Sequence, residues 1–394
     1  MEITIQPSKL SGSLRAISSK SQAHRILICA ALSDSPCTVI CPDTNQDIDA
    51  TASCLRQLGA DIQRTATGFQ VTPIKVLPKT ATLDCGESGS TLRFMLPVAG
   101  ALGVNSAFLL HGRLGQRPLS PLWEEMNRMG CHLSKPNENT IRCQGKLISG
   151  NYQIDGGISS QFITGLLFAL AIIPGRSNLH ITGQLQSKPY VDITYEVLSK
   201  FGISANGETI HGCYPFRSPT ALEVEGDWSN GAFFLVANAL GNSIEISNLH
   251  ESSVQGDREI SALIPLLKEN QTISVAQIPD LMPILSVLAA ANHGATFTHI
   301  QRLRLKESDR VTAVSQMLNA MGIATRITDS EMIVYPGTFH KAVIDSFNDH
   351  RIAMAAAIAA TIADGPITIQ NPQCVAKSYP TFWEEYKRLG GQYE

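Results

Sequence analysis

The order of apolar and polar positions along the chain predicts two kinds of helix. Three runs, at 162–173, 282–291 and 352–363, are apolar on every side, which is typical of helices buried at the centre of a domain. Six amphipathic runs each end at a small residue before the chain becomes extended again, as expected for helices closed by a left-handed residue. The six predicted caps are Gly59, Gly130, Gly202, Asn270, Gly322 and Gly390.

A second series of positions precedes these caps and opens the apolar helices. Its members lie in loops rich in hydroxyl, carboxamide or carboxylate groups, and they are Lys20, Gly89, Ser160, Ser229, Asp280 and Asp349. The separation between each opening and its cap stays between 39 and 42 residues, which predicts six copies of one unit. Both series shorten after the fourth unit, so we expect that unit to lack a hairpin between Asn270 and Asp280.

Composition and repeat fit an α/β (α+β) fold, and a chain of this length is expected to form two domains, although the repeat alone does not show how the six units pack. The start of a helix offers unpaired N–H groups and the positive end of the macrodipole, which suits phosphate or carboxylate groups. If three units form each domain, we therefore expect the openings of the apolar helices to converge on one cleft. The stretch 211–220, which contains two prolines, is predicted to cross between the halves.

Composition narrows the classes of protein. A chain of 394 residues exceeds what one core usually serves, and a hydrophobic content of 43% with thirty Gly fits a turn-rich globular protein. Its net charge of −3 and lack of a basic stripe disfavour nucleic-acid binding. Nine scattered cysteines without Cys/His pairs indicate reduced cytosolic thiols and no metal site. With no leader-like start and an apolar run too short to span a bilayer, we expect a cytoplasmic protein.

Charged residues are scarce, at 16% of the chain, yet they gather where helices are predicted to begin. The segments are SSKSQAHR at 18–25, LKESDR at 305–310 and NDHR at 348–351. Because the net charge is close to zero, local gathering of cations indicates that they hold an anion. The sequence therefore predicts a small polyanionic ligand.

Each candidate residue also has a plain structural explanation. Ser21 and Arg25 lie on one helical face, where a cap and a salt bridge are equally expected. Asp280 opens an apolar helix, so it fits either an N-cap or a general base. Lys306 and Arg310 are predicted to share a helical face that a solvated ion pair would also explain. Recurrence at equivalent positions of one repeat favours the ligand-binding interpretation of the whole set.

With these residues in view, the chain resembles the EPSP synthase (3-phosphoshikimate 1-carboxyvinyltransferase) family from end to end. The motifs that carry the resemblance, in order, are SKSQAHR, GSTLR, QRPL, SSQF, SKPY, IPD, KESDR, NDHR and AKSYP. The resemblance implies two similar domains, each of three βαβαββ units with pseudo-threefold symmetry, an arrangement known as an inside-out α/β barrel. On this basis residues 15–225 form the first domain, residues 1–14 join 226–394 in the second, and ligands bind in the cleft as the domains close.

The resemblance also implies the reaction, which transfers the enolpyruvyl group of phosphoenolpyruvate to the 5-hydroxyl of shikimate 3-phosphate. Implied ligands of shikimate 3-phosphate are Lys20, Ser21, Arg25, Ser159, Ser160, Gln161, Ser187, Asp280 and Lys306. Those of phosphoenolpyruvate are Lys20, Gly89, Arg117, Gln161, Arg310, Arg351 and Lys377. By the same resemblance, the hydroxyl proton passes to Asp280, the proton of the methylene carbon is exchanged by Glu307, and the departing phosphate is protonated by Lys20. We expect a monomer with no cofactor, no metal and no membrane or nucleic-acid partner.

Two positions depart from the family pattern, and two other functions stay open. Glu87 stands where many members have Asn, and Arg302 stands where some have Asn for shikimate 3-phosphate, so neither role is carried over. Retention of Gly89 leads us to expect inhibition by glyphosate. The alternatives are the related transferases of UDP-N-acetylglucosamine, disfavoured because Ser21 follows Lys20 and HGRLGQRP lacks a cysteine, and a non-catalytic anion-binding scaffold.

Overall fold

The computed structural model describes residues 1–394, apart from the side chain of Asn206. The helices are α1 (Lys20–Ala31), α2 (Gln46–Gln57), α3 (Gly89–Leu102), α4 (Leu122–Arg128), α5 (Ser160–Ile172), α6 (Lys188–Lys200), α7 (Trp228–Ala239), α8 (Ile260–Leu266), α9 (Met282–Ala291), α10 (Arg310–Ala320), α11 (His350–Ala360) and α12 (Phe382–Arg388). Short 3-10 helices cover Leu114–Gln116, Gly256–Glu259, Gln301–Leu305 and Pro372–Lys377.

The strands are short and alternate with the helices. They are β1 (Glu2–Gln6), β2 (Ser11–Arg15), β3 (Cys37–Ile40), β4 (Asp61–Thr65), β5 (Gly68–Thr72), β6 (Thr80–Asp84), β7 (Asn105–Leu109), β8 (Cys131–Asn137), β9 (Thr140–Gly145), β10 (Asn151–Asp155), β11 (Gly175–Thr182), β12 (Ala205–Asn206), β13 (Thr209–Gly212), β14 (Ala221–Glu223), β15 (Ser243–Ser247), β16 (Gln271–Ser274), β17 (Ala295–Thr298), β18 (Thr325–Ile327), β19 (Glu331–Val334), β20 (Ala342–Asp345), β21 (Ile367–Gln370) and β22 (Gln392–Tyr393).

Tertiary contacts divide the chain into two compact units. We call Ser18–Val224 the N-terminal unit and Met1–Ile17 with Glu225–Glu394 the C-terminal unit. The stretch 211–220 lies wholly inside the N-terminal unit, so the prediction that it crosses between the halves was wrong. It stays there because its backbone pairs with the end of α1, where Phe216 N–H donates to Leu32 O over 2.9 Å.

Each unit is built from small open sheets of one design. In the sheet β6-β7-β9-β8, two parallel strands are followed by an antiparallel hairpin, and α3 connects the parallel pair. The orders β10-β11-β13-β12 and β16-β17-β19-β18 repeat this arrangement. The predicted α/β class and its repeated unit are therefore confirmed. Among the described residues, no sheet closes into a barrel.

Two sheets take their first strand from a distant part of the sequence. In the N-terminal unit, β14 pairs in parallel with β3, although 184 positions separate their first residues, Ala221 and Cys37. In the C-terminal unit, β2 pairs in parallel with β15, and β1 completes the sheet β20-β21-β1-β22. The first seventeen residues thus supply strands to two sheets of the C-terminal unit.

The fourth repeat is the incomplete one, as predicted. Its sheet holds only β15 and β2, and four residues separate the end of α8 from β16, too few for a hairpin. The predicted cap at Asn270 was wrong, because α8 already ends at Leu266 and the shortened connection needs no left-handed residue. Instead, the Asn270 side chain donates to His293 O over 3.1 Å.

The three runs predicted as buried helices are α5, α9 and α11, and each is buried along almost its whole length. In the C-terminal unit, α7, α9 and α11 pack on one another and form the centre of the core. The other five predicted caps have positive φ angles, between +77° and +110°, which glycine adopts without strain. Across the described residues, every helix is too short or too polar to cross a bilayer.

Candidate active site

Arg25 is the most unusual cation of the N-terminal unit because it is buried, with 2% of its surface exposed, among neutral partners. Its guanidinium donates to Thr194 Oγ1 and to Tyr190 O over 2.8 Å each, to Thr164 Oγ1 over 3.3 Å, and to Ser21 O. It also lies over the Phe94 ring. Burial lowers the pKa of Arg25 from 12.5 to about 9, so the group is still charged at neutral pH. A buried cation without a counter-ion favours an anionic ligand.

Lys20 is the first residue of α1, and its side chain forms an ion pair with a residue of α2. Ser19 caps the helix by accepting from Gln22 N, and the Lys20 ammonium lies 3.0 Å from Asp47 Oδ2 in the first turn of α2. Both side chains are only 15% exposed. The pairing fixes the direction of Lys20 while leaving part of its charge available to a ligand.

Gly89 is the first residue of α3, and two guanidinium groups approach it. A methyl group placed on Gly89 would lie 2.5 Å from Nη1 of both Arg93 and Arg117. Within the described structure, Arg117 has no carboxylate partner and its buried Nε has no hydrogen-bond partner. Two neighbouring cations beside a helix N-terminus attract an anion, and only glycine leaves room for them.

Arg93 connects the predicted phosphoenolpyruvate residues of this unit to one another. Its Nη1 donates to Gln161 Oε1 over 3.1 Å and to Gly89 O over 3.4 Å, and its Nη2 donates to Pro118 O. Gln161 in turn donates to Ser90 Oγ over 3.0 Å. The structure therefore brings Gly89, Arg117 and Gln161 together around an arginine that sequence reasoning left out.

The serines predicted to bind shikimate 3-phosphate lie at the starts of α5 and α6. Ser159 is the N-cap of α5 and accepts from Gln161 N over 3.3 Å, while Ser160 is the first residue of the helix. Ser187 precedes α6 with φ at +54°, a left-handed conformation that is costly for a residue with a side chain. Its hydroxyl makes no capping bond to α6.

In the C-terminal unit, Arg310 holds three carboxylates. It is fully buried and donates from Nη1 to Asp280 Oδ1 over 2.7 Å, from Nη2 to Glu307 Oε2 over 2.6 Å and from Nε to Asp349 Oδ2 over 3.0 Å. Burial disfavours its charge, but attraction by Asp349, Glu307 and Asp280 outweighs burial and raises the pKa of Arg310. The two predicted proton-transfer residues are thus fixed on one guanidinium.

Asp280 carries three cationic contacts. Besides Arg310, it accepts from Lys306 Nζ over 3.3 Å and from Arg351 Nη2 over 3.2 Å. It is not the N-cap of α9, whose cap position is Leu281, so the plain structural explanation fails here. Two guanidinium groups and one ammonium group therefore surround its carboxylate.

The predicted helical face of Lys306 and Arg310 was wrong. α10 begins only at Arg310, because Asp309 caps it by accepting from Thr312 N over 3.2 Å. Lys306 is extended and lies outside the helix, yet it still reaches Asp280. Burial lowers the pKa of Lys306, although Asp280 opposes this effect.

The last two cations lie beside the start of α11, one on the helix and one on a neighbouring segment. Asp349 caps this helix by accepting from Arg351 N over 3.0 Å, and Arg351 is 4% exposed. Lys377 ends a 3-10 helix and donates to Asn348 O over 2.9 Å. Phe347 and Asn348 both have positive φ angles, so the backbone here is held in an uncommon conformation that presents its carbonyl to Lys377.

Two comparisons with known proteins agree on the family. The family model of EPSP synthase (3-phosphoshikimate 1-carboxyvinyltransferase) matches residues 5–268 and 262–386. A 3-phosphoshikimate 1-carboxyvinyltransferase of Clostridium kluyveri is 37% identical, with 99% of this chain and 97% of that protein covered. One from Clostridium beijerinckii is also 37% identical, over 100% and 98%. The chain belongs to the EPSP synthase family.

Solved structures agree on the fold of this EPSP synthase family member. An EPSP synthase of Acinetobacter baumannii has a TM-score of 0.80 at 23% identity, covering 100% of this chain and 99% of that one. The enolpyruvyl transferase NikO of Streptomyces tendae has a TM-score of 0.78 at 18% identity, covering 100% and 98%. At these identities the likeness concerns the fold alone.

The two positions that depart from the family pattern have local surroundings of their own. Glu87 is exposed, and its carboxylate lies against Gly112, where a Cβ would meet Glu87 Cδ at 2.6 Å. Its charge is therefore turned toward the 111–113 loop. Arg302 lies in the 3-10 helix before Lys306 and acts on that lysine through its charge, helping to lower the pKa of Lys306.

Sequence reasoning missed several residues that support the site. Asp349 was noted only as a helix opening, although it accepts from Arg310, Ser308 and Arg351. Asp257 is buried in the C-terminal unit, where burial, and then the charge of Asp280, raise its pKa to about 6. For Asp349 the N-cap position before a buried helix was a usable signal, whereas nothing in the local sequence singles out Asp257.

Proposed function

We propose that this chain transfers the enolpyruvyl group of phosphoenolpyruvate to the 5-hydroxyl of shikimate 3-phosphate and releases phosphate. The observation that carries this proposal is the attachment of Asp280 and Glu307 to one buried arginine, in a chain that belongs to the EPSP synthase family. A proton acceptor and a proton exchanger held in fixed positions among cations are what addition to an enol ether carbon requires.

We assign the N-terminal unit largely to shikimate 3-phosphate. Arg25 supplies a desolvated charge, and charge-assisted bonds to phosphate oxygens are strong in such surroundings. Ser21, Ser159, Ser160, Gln161 and Ser187 supply neutral hydrogen-bonding groups, in keeping with a hydroxylated ring.

We assign phosphoenolpyruvate to the remaining cations. Arg117 and Lys20 come from the N-terminal unit beside Gly89, and Arg310, Arg351 and Lys377 come from the C-terminal unit, where Lys306 serves shikimate 3-phosphate. Arginine binds carboxylate and phosphate groups through two parallel hydrogen bonds, which fixes the orientation of the substrate as well as its affinity. In the N-terminal unit, the guanidinium groups of Arg25 and Arg93 donate to neutral groups, which supports anion binding there.

The proton transfers follow from the carboxylates. The 5-hydroxyl oxygen forms a bond to C2 of phosphoenolpyruvate, and its proton passes to Asp280. Glu307, which enters this step in its protonated form, gives its proton to the methylene carbon and becomes a carboxylate. Removal of a methyl proton by Glu307 then restores the double bond as the C–O bond to phosphate breaks, and Lys20 protonates the departing oxygen. No electron is gained or lost overall.

The contacts of Asp280 bear on its strength as a base. A carboxylate that accepts from Lys306, Arg310 and Arg351 binds a proton poorly. An anionic substrate that shares these guanidinium groups weakens their hold on Asp280 and raises its affinity for a proton. Substrate binding and base activation are therefore linked through the same arginines.

The sister reaction with UDP-N-acetylglucosamine is the second candidate, and it is disfavoured. The family model that matches is that of EPSP synthase, and the curated relatives carry that name. The chain also has Ser21 after Lys20. A non-catalytic scaffold would not need two carboxylates on a buried arginine that also binds Asp349.

A phosphate-release assay tests the proposal. Protein is mixed with phosphoenolpyruvate and either shikimate 3-phosphate or UDP-N-acetylglucosamine, and only the first pair should release phosphate. Asp280→Ala and Glu307→Ala should each lower kcat by at least about a hundredfold. Asp364→Ala is the matched control, since Asp364 pairs with His340 at the exposed surface. Unchanged turnover in both site variants would reject the assigned proton transfers.

A further inference from the structure

A buried polar chain joins three helices of the N-terminal unit behind the predicted binding residues. His24 Nδ1 lies 2.7 Å from Thr51 Oγ1, which lies 2.7 Å from Thr91 Oγ1. Thr91 Oγ1 continues to Ser88 Oγ over 2.8 Å and to Asp47 O over 3.3 Å. The chain thus runs from α1 through α2 to the start of α3.

At Thr91 the chain branches toward two elements that carry candidate site residues. Ser88 is the N-cap of α3, whose first residue is Gly89. Asp47 is the carboxylate that pairs with Lys20. The chain thus ends beside the segments that hold Gly89 and the partner of Lys20.

The surroundings of His24 decide which of its nitrogens carries the hydrogen. Its Nε2 is buried and has no hydrogen-bond partner within the described structure, and the ring packs edge-on against Phe94. A buried N–H without a partner costs more than an unpaired acceptor, so the hydrogen belongs on Nδ1. Burial, followed by the charges of Lys20 and Arg25, lowers the pKa of His24 well below 6.5 and keeps the ring neutral.

The tautomer sets the direction of every bond that follows. Each hydroxyl has one hydrogen, so with Nδ1–H the donors run from His24 to Thr51, from Thr51 to Thr91 and from Thr91 to Ser88 or Asp47 O. With Nε2–H the order reverses, and Thr91 gives its hydrogen to Thr51. The first turn of α2 then loses the bond from Thr91 to Asp47 O, and Ser88 becomes the donor in its bond to Thr91.

We infer that His24 is a positioning residue, whose Nδ1–H tautomer directs this hydrogen-bond chain and so holds Gly89 and the partner of Lys20 in place for phosphoenolpyruvate. The inference rests on the proposed function for its consequence, but the tautomer itself does not depend on any reaction. If His24 only filled space in the core, its volume would matter and the hydrogen on its Nδ1 would not.

Variants that keep or remove each hydrogen bond separate these two roles. The amide of Asn can place an N–H where Nδ1 lies, whereas Leu keeps bulk without a donor, so His24→Asn and His24→Leu form one pair. Thr51→Ser and Thr51→Val form the second. We expect His24→Leu and Thr51→Val each to raise KM for phosphoenolpyruvate about tenfold, the value of roughly one net hydrogen bond, with a smaller change in kcat. His24→Asn and Thr51→Ser should stay within about twofold of the wild type.

Two further readouts complete the test. The double variant of His24→Leu and Thr51→Val should be no worse than either single one, because both break the same chain. Selective ¹⁵N-histidine labelling, with the His24→Asn spectrum as the assignment, should show a protonated Nδ1 and an unprotonated Nε2. Midpoints of urea unfolding for all variants report any general loss of stability.

The outcomes distinguish the inference from the proposed function. A protonated Nε2 in an active wild-type protein would overturn the inference alone, and so would equal KM values for His24→Asn and His24→Leu. A wild-type protein without transferase activity would reject the proposed function and with it the role of His24 in binding phosphoenolpyruvate, whatever the tautomer.

Discussion

Replacing Arg25 by Met tests whether its charge exists for a ligand or for the fold. Met keeps the length and much of the volume of the side chain but removes the guanidinium. Arg25 donates only to neutral groups, on Thr164, Tyr190, Thr194 and Ser21, so the change leaves no buried carboxylate behind. Its effect on stability can therefore be separated from its effect on binding.

The structure gives the size of both effects. The fall in the pKa of Arg25 from 12.5 to about 9 corresponds to about 5 kcal/mol that opposes the buried charge. At pH 7 both the folded and unfolded chains are charged at this position, so the whole opposing term applies, and it is relieved only between about pH 9 and pH 12.5. Removing the charge relieves this opposing term, but each of the four hydrogen bonds of Arg25 that is lost with it costs about 1 kcal/mol. Arg25→Met should thus change the free energy of unfolding by less than about 2 kcal/mol.

Binding should respond differently, because a desolvated charge-assisted contact to phosphate is lost. We expect kcat/KM for shikimate 3-phosphate to fall at least about a hundredfold, equivalent to about 3 kcal/mol. Steady-state phosphate release and urea unfolding at pH 7 measure the two quantities. Arg64→Met is the matched control, since Arg64 also lies over an aromatic ring, Phe69, and donates only to carbonyls, but it is exposed.

A large loss of stability with unchanged kinetics for shikimate 3-phosphate would refute this reasoning. It would mean that Arg25 holds α1 against α5 and α6 through its neutral partners and has no ionic ligand. Equal kinetic losses in Arg25→Met and Arg64→Met would likewise deny Arg25 a particular role.

Three further predictions follow from single residues. Gly89→Ala should raise KM for phosphoenolpyruvate about tenfold or more while sparing that for shikimate 3-phosphate, because its methyl group displaces the guanidinium groups of Arg93 and Arg117; equal KM changes for both substrates would contradict this. Asp349→Asn should lower the free energy of unfolding by about 3 kcal/mol and lower kcat/KM, since Arg310 loses a buried partner; urea unfolding and initial rates measure both, and an unchanged midpoint would count against the pairing. The pKa of Asp257 is raised to about 6 in the folded chain, so its contribution to the free energy of unfolding is present below about pH 4 and is lost as pH rises through 6. The free energy of unfolding of Asp257→Asn, measured relative to the wild type, should therefore rise by about 2–3 kcal/mol between pH 4 and pH 8. Parallel curves of stability against pH for the two proteins would exclude the effect.

The sequence predicted the repeat well because its signals are local. A glycine after an amphipathic run marks a left-handed residue, and Gly59, Gly130 and Gly202 have the expected positive φ. Asn270 failed because the fourth unit is shortened just there, and a four-residue connection to β16 replaces the expected turn. The residues near a cap do not show that a hairpin is missing. Only the shorter distance between successive repeats shows it.

The pairing of strands that are distant in the sequence could not be predicted from a local pattern. β2 and β14 are short segments whose sheet partners, β15 and β3, lie far away in the sequence. Hydrophobic alternation indicates that such a segment is a strand, but not which edge it joins. The sequence pattern therefore predicted the repeated unit, but not which strands pair in three dimensions.

For the candidate site, the sequence predicted a set of residues but not the hydrogen bonds and ion pairs that hold these side chains in place. Arg310 was predicted on the face of Lys306, yet Asp309 starts the helix between them, since an aspartate cap outweighs the continuation of the pattern. Asp349 and Arg93 were missed as supports because their partners lie on other helices and loops. Such contacts depend on tertiary packing, which periodicity does not encode.

The central claim is most directly tested by following phosphoenolpyruvate labelled with ¹³C at C2 in the presence of shikimate 3-phosphate and this protein. NMR should show the label in an enol ether joined to the oxygen at position 5, with one phosphate released for each bond formed. Phosphate release without that linkage, or transfer of the label to UDP-N-acetylglucosamine in its place, would contradict the account.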